Sequence, residues 1–168
     1  EMFDLNLEIT CIEPYPSPHL LSLQKEGRIN LIIKKIQDVD LSIFESLNKN
    51  DILFIDSSHV VKVNSDVLYE FRDVLPVLKS GVRVHFHDIF LPYDYPPEWL
   101  HKGRFWNEHY FLFTFLQFNE KFKIDFSCQY ARYKYKEKLT YLQRHTYENI
   151  NRTKAIPMSG GSIWLKIN

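Results

Sequence analysis

The chain has 168 residues, 45% hydrophobic and 25% charged, which is the size and balance of one ordinary globular domain and excludes wholesale disorder. Lys plus Arg (21) equal Asp plus Glu (21), so the chain lacks the basic character of a nucleic-acid binder, and no apolar run approaches the ~20 residues that span a bilayer. There is no recognisable secretory leader, and two cysteines, Cys11 and Cys128, make no disulfide framework; both features fit a reducing, cytoplasmic setting.

Ile9 to Glu13 reads as a short β-branched strand stopped by Pro14 and Pro16. Ser17 and Pro18 then signal the cap and first turn of a helix over His19 to Lys25, with Gly27 as its stop. Ile29 to Ile36 suits a buried strand, Ser42 to Leu47 a short helix or turn, and Asp51 to Ile55 a strand that ends abruptly at Asp56-Ser57-Ser58-His59. Apolar residues at Val67, Leu68, Phe71, Val74, Leu75 and Leu78 predict a helix over Asn64 to Leu78, kinked near its end by Pro76. Val82 to Phe86 is the next strand, broken by His87-Asp88. Beyond it come an irregular loop from Leu91 to Pro97, an aromatic helix over Phe105 to Asn119, and a strand over Phe122 to Cys128. A polar, basic stretch over 130–157 reads as an insertion, and Ile163 to Ile167 closes a single domain as a strand.

Strands alternating with helices predict an α/β fold: a Rossmann-like, mostly parallel sheet with helices on both faces and one or two antiparallel strands at the end. In such sheets ligands bind outside the carboxyl ends of the strands. The residues standing there are Glu13, Gln37-Asp38, Asp56-Ser57-Ser58-His59 and His87-Asp88. An acid after a strand can accept both hydroxyls of a ribose, and Asp38 beside Gln37 can accept from an adenine amino group. Asp56, His59, His87 and Asp88 offer oxygen and nitrogen donors for a divalent metal, and His87 or His59 can take a proton from a hydroxyl near neutral pH.

These residues carry a resemblance. Asp51 to His59, the helix after it, and Gly81 to Pro92 resemble the class I S-adenosylmethionine-dependent methyltransferases, most closely a bacterial branch with Asp-Ser-Ser-His and His-Asp-Ile-Phe turns. Asp94 to Trp99, Phe105-Trp106-Asn107-Glu108 and Gly160 to Trp164 fit the same branch. The resemblance implies that Glu13 binds the cofactor's ribose, that Gln37 and Asp38 lie near adenine, and that Asp56 and Ser57 line the methionine end. It also implies that His87, Asp88 and His59 carry the chemistry and that Asp56, His87 and Asp88 are the metal candidates. The acceptor it implies is an oxygen of a small molecule or sugar, with no nucleic-acid or membrane partner.

Two other readings compete. One is a degenerate, non-catalytic binding or dimerisation module. The other is a metal-dependent hydrolase, suggested by His85-Phe86-His87, for which His85 as a core histidine bonded to backbone is the simpler account. Trp99, Phe105, Trp106, Tyr110, Phe111, Phe113 and Phe115 read as core packing plus an interface rather than a substrate lid.

The family's first strand and glycine-rich turn find no counterpart before Glu13, so the chain reads as the C-terminal portion of such a domain, with Glu1 to Glu8 as the tail of a helix. A missing central strand leaves unpaired sheet edges, and the expectation is that the chain closes the gap, forms a homodimer through an exposed edge, or swaps elements. The 168 residues alone are accordingly expected to bind S-adenosylmethionine weakly; titration calorimetry giving micromolar affinity would refute this.

Overall fold

The computed structural model describes residues 7–141 and 161–168. The expected helix tail at the N-terminus lies partly outside them, as does most of the expected polar insertion. Backbone contacts divide the chain into two compact units, Glu1–Ile43 and Phe44–Asn168.

In the first unit, β1 (Thr10–Ile12) and β2 (Asn30–Ile32) pair in parallel with Cys11 opposite Leu31. The helix between them, α1 (Pro18–Lys25), starts where the sequence predicts: the Ser17 hydroxyl accepts the Leu20 N–H at 3.3 Å, and Pro18 needs no hydrogen-bond partner. Gly27 ends it in the left-handed region at φ 68°. The second strand is shorter than its apolar run. After Ile32 the chain turns, with the Lys34 N–H bonded back to the Ile32 carbonyl, and a 3-10 turn forms over Ile36–Asp38.

In the second unit, β3 (Ile52–Ile55), β4 (Arg83–His87), β5 (Phe122–Ser127) and β6 (Ser162–Ile167) form one sheet in the order β3-β4-β6-β5. β3 and β4 run parallel, while β6 is antiparallel to both of its neighbours. This is the Rossmann-like α/β arrangement with antiparallel strands at its end. Alternation along the strands sorts the two faces. Val84, Phe86, Ile163, Leu165 and Ile167 are fully buried on one face, against helical residues Val67, Phe71, Val74 and Leu112. The other face carries a row of Phe54, His85 and Trp164, in which His85 stacks on Trp164 at 4.2 Å and meets Phe54 edge-on. The expectation for His85 is corrected here: it is half-buried in an aromatic stack, and its Nε2 has no hydrogen-bond partner.

Short α2 (Ser42–Glu45) spans the boundary of the units. The helix predicted over Asn64 to Leu78 forms as α3 (Asp66–Tyr69), a π-helical segment (Glu70–Val74) and α4 (Leu75–Val77). Ser65 caps it, accepting the Leu68 N–H at 3.1 Å. The π-turn closes between the Leu75 N–H and the Glu70 carbonyl, so that Pro76, which has no N–H to give, falls in the first turn of α4. Downstream lie α5 (Pro97–His101), which starts at the last residue of the expected irregular loop, α6 (Glu108–Gln117) and α7 (Cys128–Lys134). Aromatic residues of this half are only partly packed. Phe111 and Phe115 meet Phe71 edge-on, but Phe105 remains 73% exposed. No helix among the described residues is long and apolar enough to cross a membrane.

Gly81 bridges α4 and β4 at φ 85°, and its N–H donates to the Ile167 carbonyl at 2.8 Å. A Cβ there would lie 2.6 Å from Lys49 Cγ and 3.2 Å from Lys49 Cα. Gly81→Ala should therefore cost roughly 1–3 kcal/mol in chemical denaturation; an unchanged midpoint would contradict this geometry.

Glu70 is 4% exposed, with its Oε2 accepting the Ser57 hydroxyl at 3.2 Å. Burial, reinforced by the charges of Glu108 and Asp66, pushes its carboxyl from 4.5 up to about 8. The folded chain thus binds a proton that the unfolded chain releases between those pH values. Stability is full below about 4.5 and falls as pH rises through about 8. Glu70→Gln should flatten that decline and raise the melting temperature at pH 8 by roughly 3–8 °C. Parallel pH profiles for variant and wild type would show that Glu70 is not its source.

Candidate active site

The turn after β3 carries Asp56, Ser57, Ser58 and His59, and β4 ends in His87 followed by Asp88. Because β3 and β4 are adjacent and parallel, these residues stand at the same end of the sheet. The first turn is tied to the helix that follows it. Ser58 donates its N–H to Asp66 Oδ2 at 2.9 Å and its hydroxyl to Oδ1 at 2.5 Å, while the Ser57 hydroxyl donates to Glu70. His59 and Asp88 both adopt left-handed backbone angles, φ 58° and 54°, which non-glycine residues hold only where surrounding structure imposes them.

His59 is the best-held group of the set. Its side chain is 7% exposed, and its Nε2 lies 3.3 Å from Asp56 Oδ1 and 3.9 Å from Asp88 Oδ2. Its Nδ1 lies 2.8 Å from Glu108 Oε2, and Trp106 packs over the ring at 4.1 Å. Burial lowers the imidazole's pKa, but the Glu108 hydrogen bond and charge, aided by Asp88 and Asp56, outweigh it and leave a net rise. His87 is more open, with 42% of its side chain exposed. Its Nδ1 is 3.4 Å from Asp56 Oδ1 and 3.5 Å from Asp88 Oδ1, without a hydrogen bond.

Asp56, His59 and Asp88 offer donor atoms all within 4.8 Å of one another, a two-carboxylate, one-imidazole set that suits a divalent cation. The resemblance implies Asp56, His87 and Asp88 as the metal candidates; the donor atoms of His59 group with the two acids, and His87 Nδ1 lies within ion-pairing distance of both. In the first unit, Glu13 follows β1 and Gln37-Asp38 follow β2, at the same end of that parallel pair. Glu13 Oε1 accepts the Tyr15 N–H at 2.8 Å, and Asp38 is exposed.

Among the described residues, two buried acids and one buried imidazole have no role in the sequence reading: Glu70, Glu108 and His109. Both acids share the phase of their helices' apolar rows, Glu70 three residues after Val67 and four before Val74, Glu108 four before Leu112. That spacing is a usable signal of burial. His109 Nδ1 accepts the Phe90 N–H at 3.2 Å, and burial lowers its pKa, so its role is to satisfy the chain after Asp88. A separate groove of about 650 Å3, lined by Leu91, Phe113, Ile124, Phe126 and Tyr130 among others, contains none of the acids and imidazoles of the site.

A family described as a methyltransferase domain matches residues 3–89, just over half of the chain. The match takes in every strand end considered above and stops one residue past Asp88, short of Trp106 and Glu108. No curated protein and no solved structure matches. With the Rossmann-like topology and the polar strand ends, that match places the chain in the methyltransferase-domain family.

Proposed function

We propose that the chain serves S-adenosylmethionine-dependent methyl transfer to a hydroxyl oxygen of a small molecule or sugar. The observation that carries this reading is the gathering of Asp56, His59, His87 and Asp88 at the ends of two adjacent parallel strands, in a member of a methyltransferase family. When bound, S-adenosylmethionine supplies an electrophilic methyl group. Glu13 is assigned to the ribose hydroxyls, Gln37 and Asp38 to adenine, and Asp56 with Ser57 to the methionine end. Ser57 already donates to Glu70, which leaves its oxygen lone pairs and its backbone for that task.

At the other end of the reaction, the acceptor hydroxyl must lose its proton as its oxygen is alkylated. An imidazole at His59 or His87 takes that proton, and the flanking carboxylates stabilise the resulting imidazolium. Asp56, His59 and Asp88 would hold a divalent cation, whose contribution when bound is to lower the pKa of the acceptor hydroxyl. Alignment of acceptor and donor supplies much of the remaining acceleration.

The alternative is a non-catalytic module that kept the sheet. In the full-length protein, S-adenosylmethionine offered with a panel of catechols and sugars should yield an O-methylated product. His59→Ala and His87→Ala should each lower kcat by about 100-fold or more while changing cofactor affinity by less than ~3-fold. Equal losses in both quantities would remove these residues from the chemistry, and no product across the panel would favour the module.

A further inference from the structure

We infer that Glu108 is the positioning residue of the site's imidazole: its carboxylate accepts a hydrogen bond from the Nδ1–H of His59, which keeps its hydrogen on Nδ1 and leaves Nε2 as the nitrogen that faces Asp56 and Asp88. The inference rests on the transferase reading only for what Nε2 then does.

The geometry is a clamp of one segment on another 46 to 49 residues away in sequence. The Asn107 and Glu108 N–H groups both donate to the His59 carbonyl, at 3.0 and 3.2 Å. The Asn107 side chain accepts the Val61 N–H at 2.6 Å and donates to the Val61 carbonyl at 3.3 Å. Trp106 covers the His59 ring, and Glu108 Oε2 meets its Nδ1. Backbone, ring plane and ring nitrogen of His59 are therefore all fixed by Trp106-Asn107-Glu108, which accounts for a buried histidine held at φ 58°.

Distances decide which nitrogen keeps its hydrogen. The 2.8 Å contact to Glu108, 1% exposed, is a hydrogen bond sealed from water, whereas Asp56 and Asp88 stand 3.3 and 3.9 Å from Nε2 and are partly solvated. Glu108 Oε1 has no hydrogen-bond partner, so the carboxylate's one directional bond is the one to His59. None of the three other imidazoles near the sheet is held in this way: His87 Nδ1 has no hydrogen-bond partner, His109 uses its Nδ1 to accept from Phe90, and His85 is stacked on Trp164. An imidazole whose far nitrogen is held by a carboxylate is oriented for chemistry at the other, whether that nitrogen moves a proton or binds a cation.

The test is two-bond 1H–15N NMR of the full chain labelled with 15N-histidine, without cofactor or acceptor, so its outcome is independent of the methyl-transfer assay. His59→Gln assigns the ring signals. Nδ1 of His59 should carry a hydrogen at pH 6 and pH 9 alike, exchanging slowly with solvent. Glu108→Ala should abolish that protected signal and shift the ring to the Nε2–H form. Glu108→Leu, which fills the space but offers no acceptor, should do the same and serves if the alanine variant does not fold. An Nδ1 without hydrogen in the wild type, as when Glu108 itself carries it, overturns the proposal. An unchanged ring spectrum in either folded variant does so too.

Discussion

A carboxylate removed from water must find a partner that restores what hydration supplied, at a cost of several kcal/mol if it fails. Glu108 meets that requirement with one bond, to the ring of His59, and much of the site's order follows from it. The helix that begins at Glu108 is anchored at its N-terminus to the turn after β3, the turn is anchored to the start of α3 through Asp66, and the ring at the junction faces the acids at the ends of β3 and β4. Glu70 answers the same requirement differently. With only a serine hydroxyl to offset its burial, its carboxyl stays protonated well above the usual range.

The two histidines that flank the acids differ for reasons of support rather than type. His87 lies at the end of a strand, half open, at ion-pairing distance from two carboxylates but with no bond to fix its ring. His59 lies in a turn, where rings are usually mobile, yet it is enclosed on three sides by residues 106–108. The two imidazoles thus differ in how they are held: one is bonded and covered, the other open and unbonded at its Nδ1.

The strand ends were legible because a parallel sheet imposes two constraints that show in one sequence: buried strands must be apolar, and the chain must turn polar where it leaves them. Ile52 to Ile55 followed by Asp56, and Val84 to Phe86 followed by His87-Asp88, satisfy both. The caps at Ser17 and the stop at Gly27 were legible for equally local reasons. Glu108 and Glu70 were not read as buried, although their phase within apolar rows carries that signal, and nothing in the sequence marks either as the partner of another residue. A hydrogen bond between residues 59 and 108 leaves no periodic trace, because it joins a turn to a helix 49 residues away. His85 misled because alternation predicts a face but not whether a helix covers it; its face is occupied by Phe54 and Trp164 instead.

The π-helical turn at Glu70–Val74 fits one more residue between Ser65 and Leu78 than an unbroken α-helix would over the same rise. Each residue turns an α-helix by about 100°, and the wide turn absorbs that rotation, so Val67 before it, Val74 at its end and Leu75 after it are all buried. Removing one residue inside the turn would convert it to an ordinary α-helical turn and leave those flanks in phase, whereas removing one elsewhere in the helix would rotate one flank out of the core. This turn is therefore the place where the helix can lose a residue without reseating its second half.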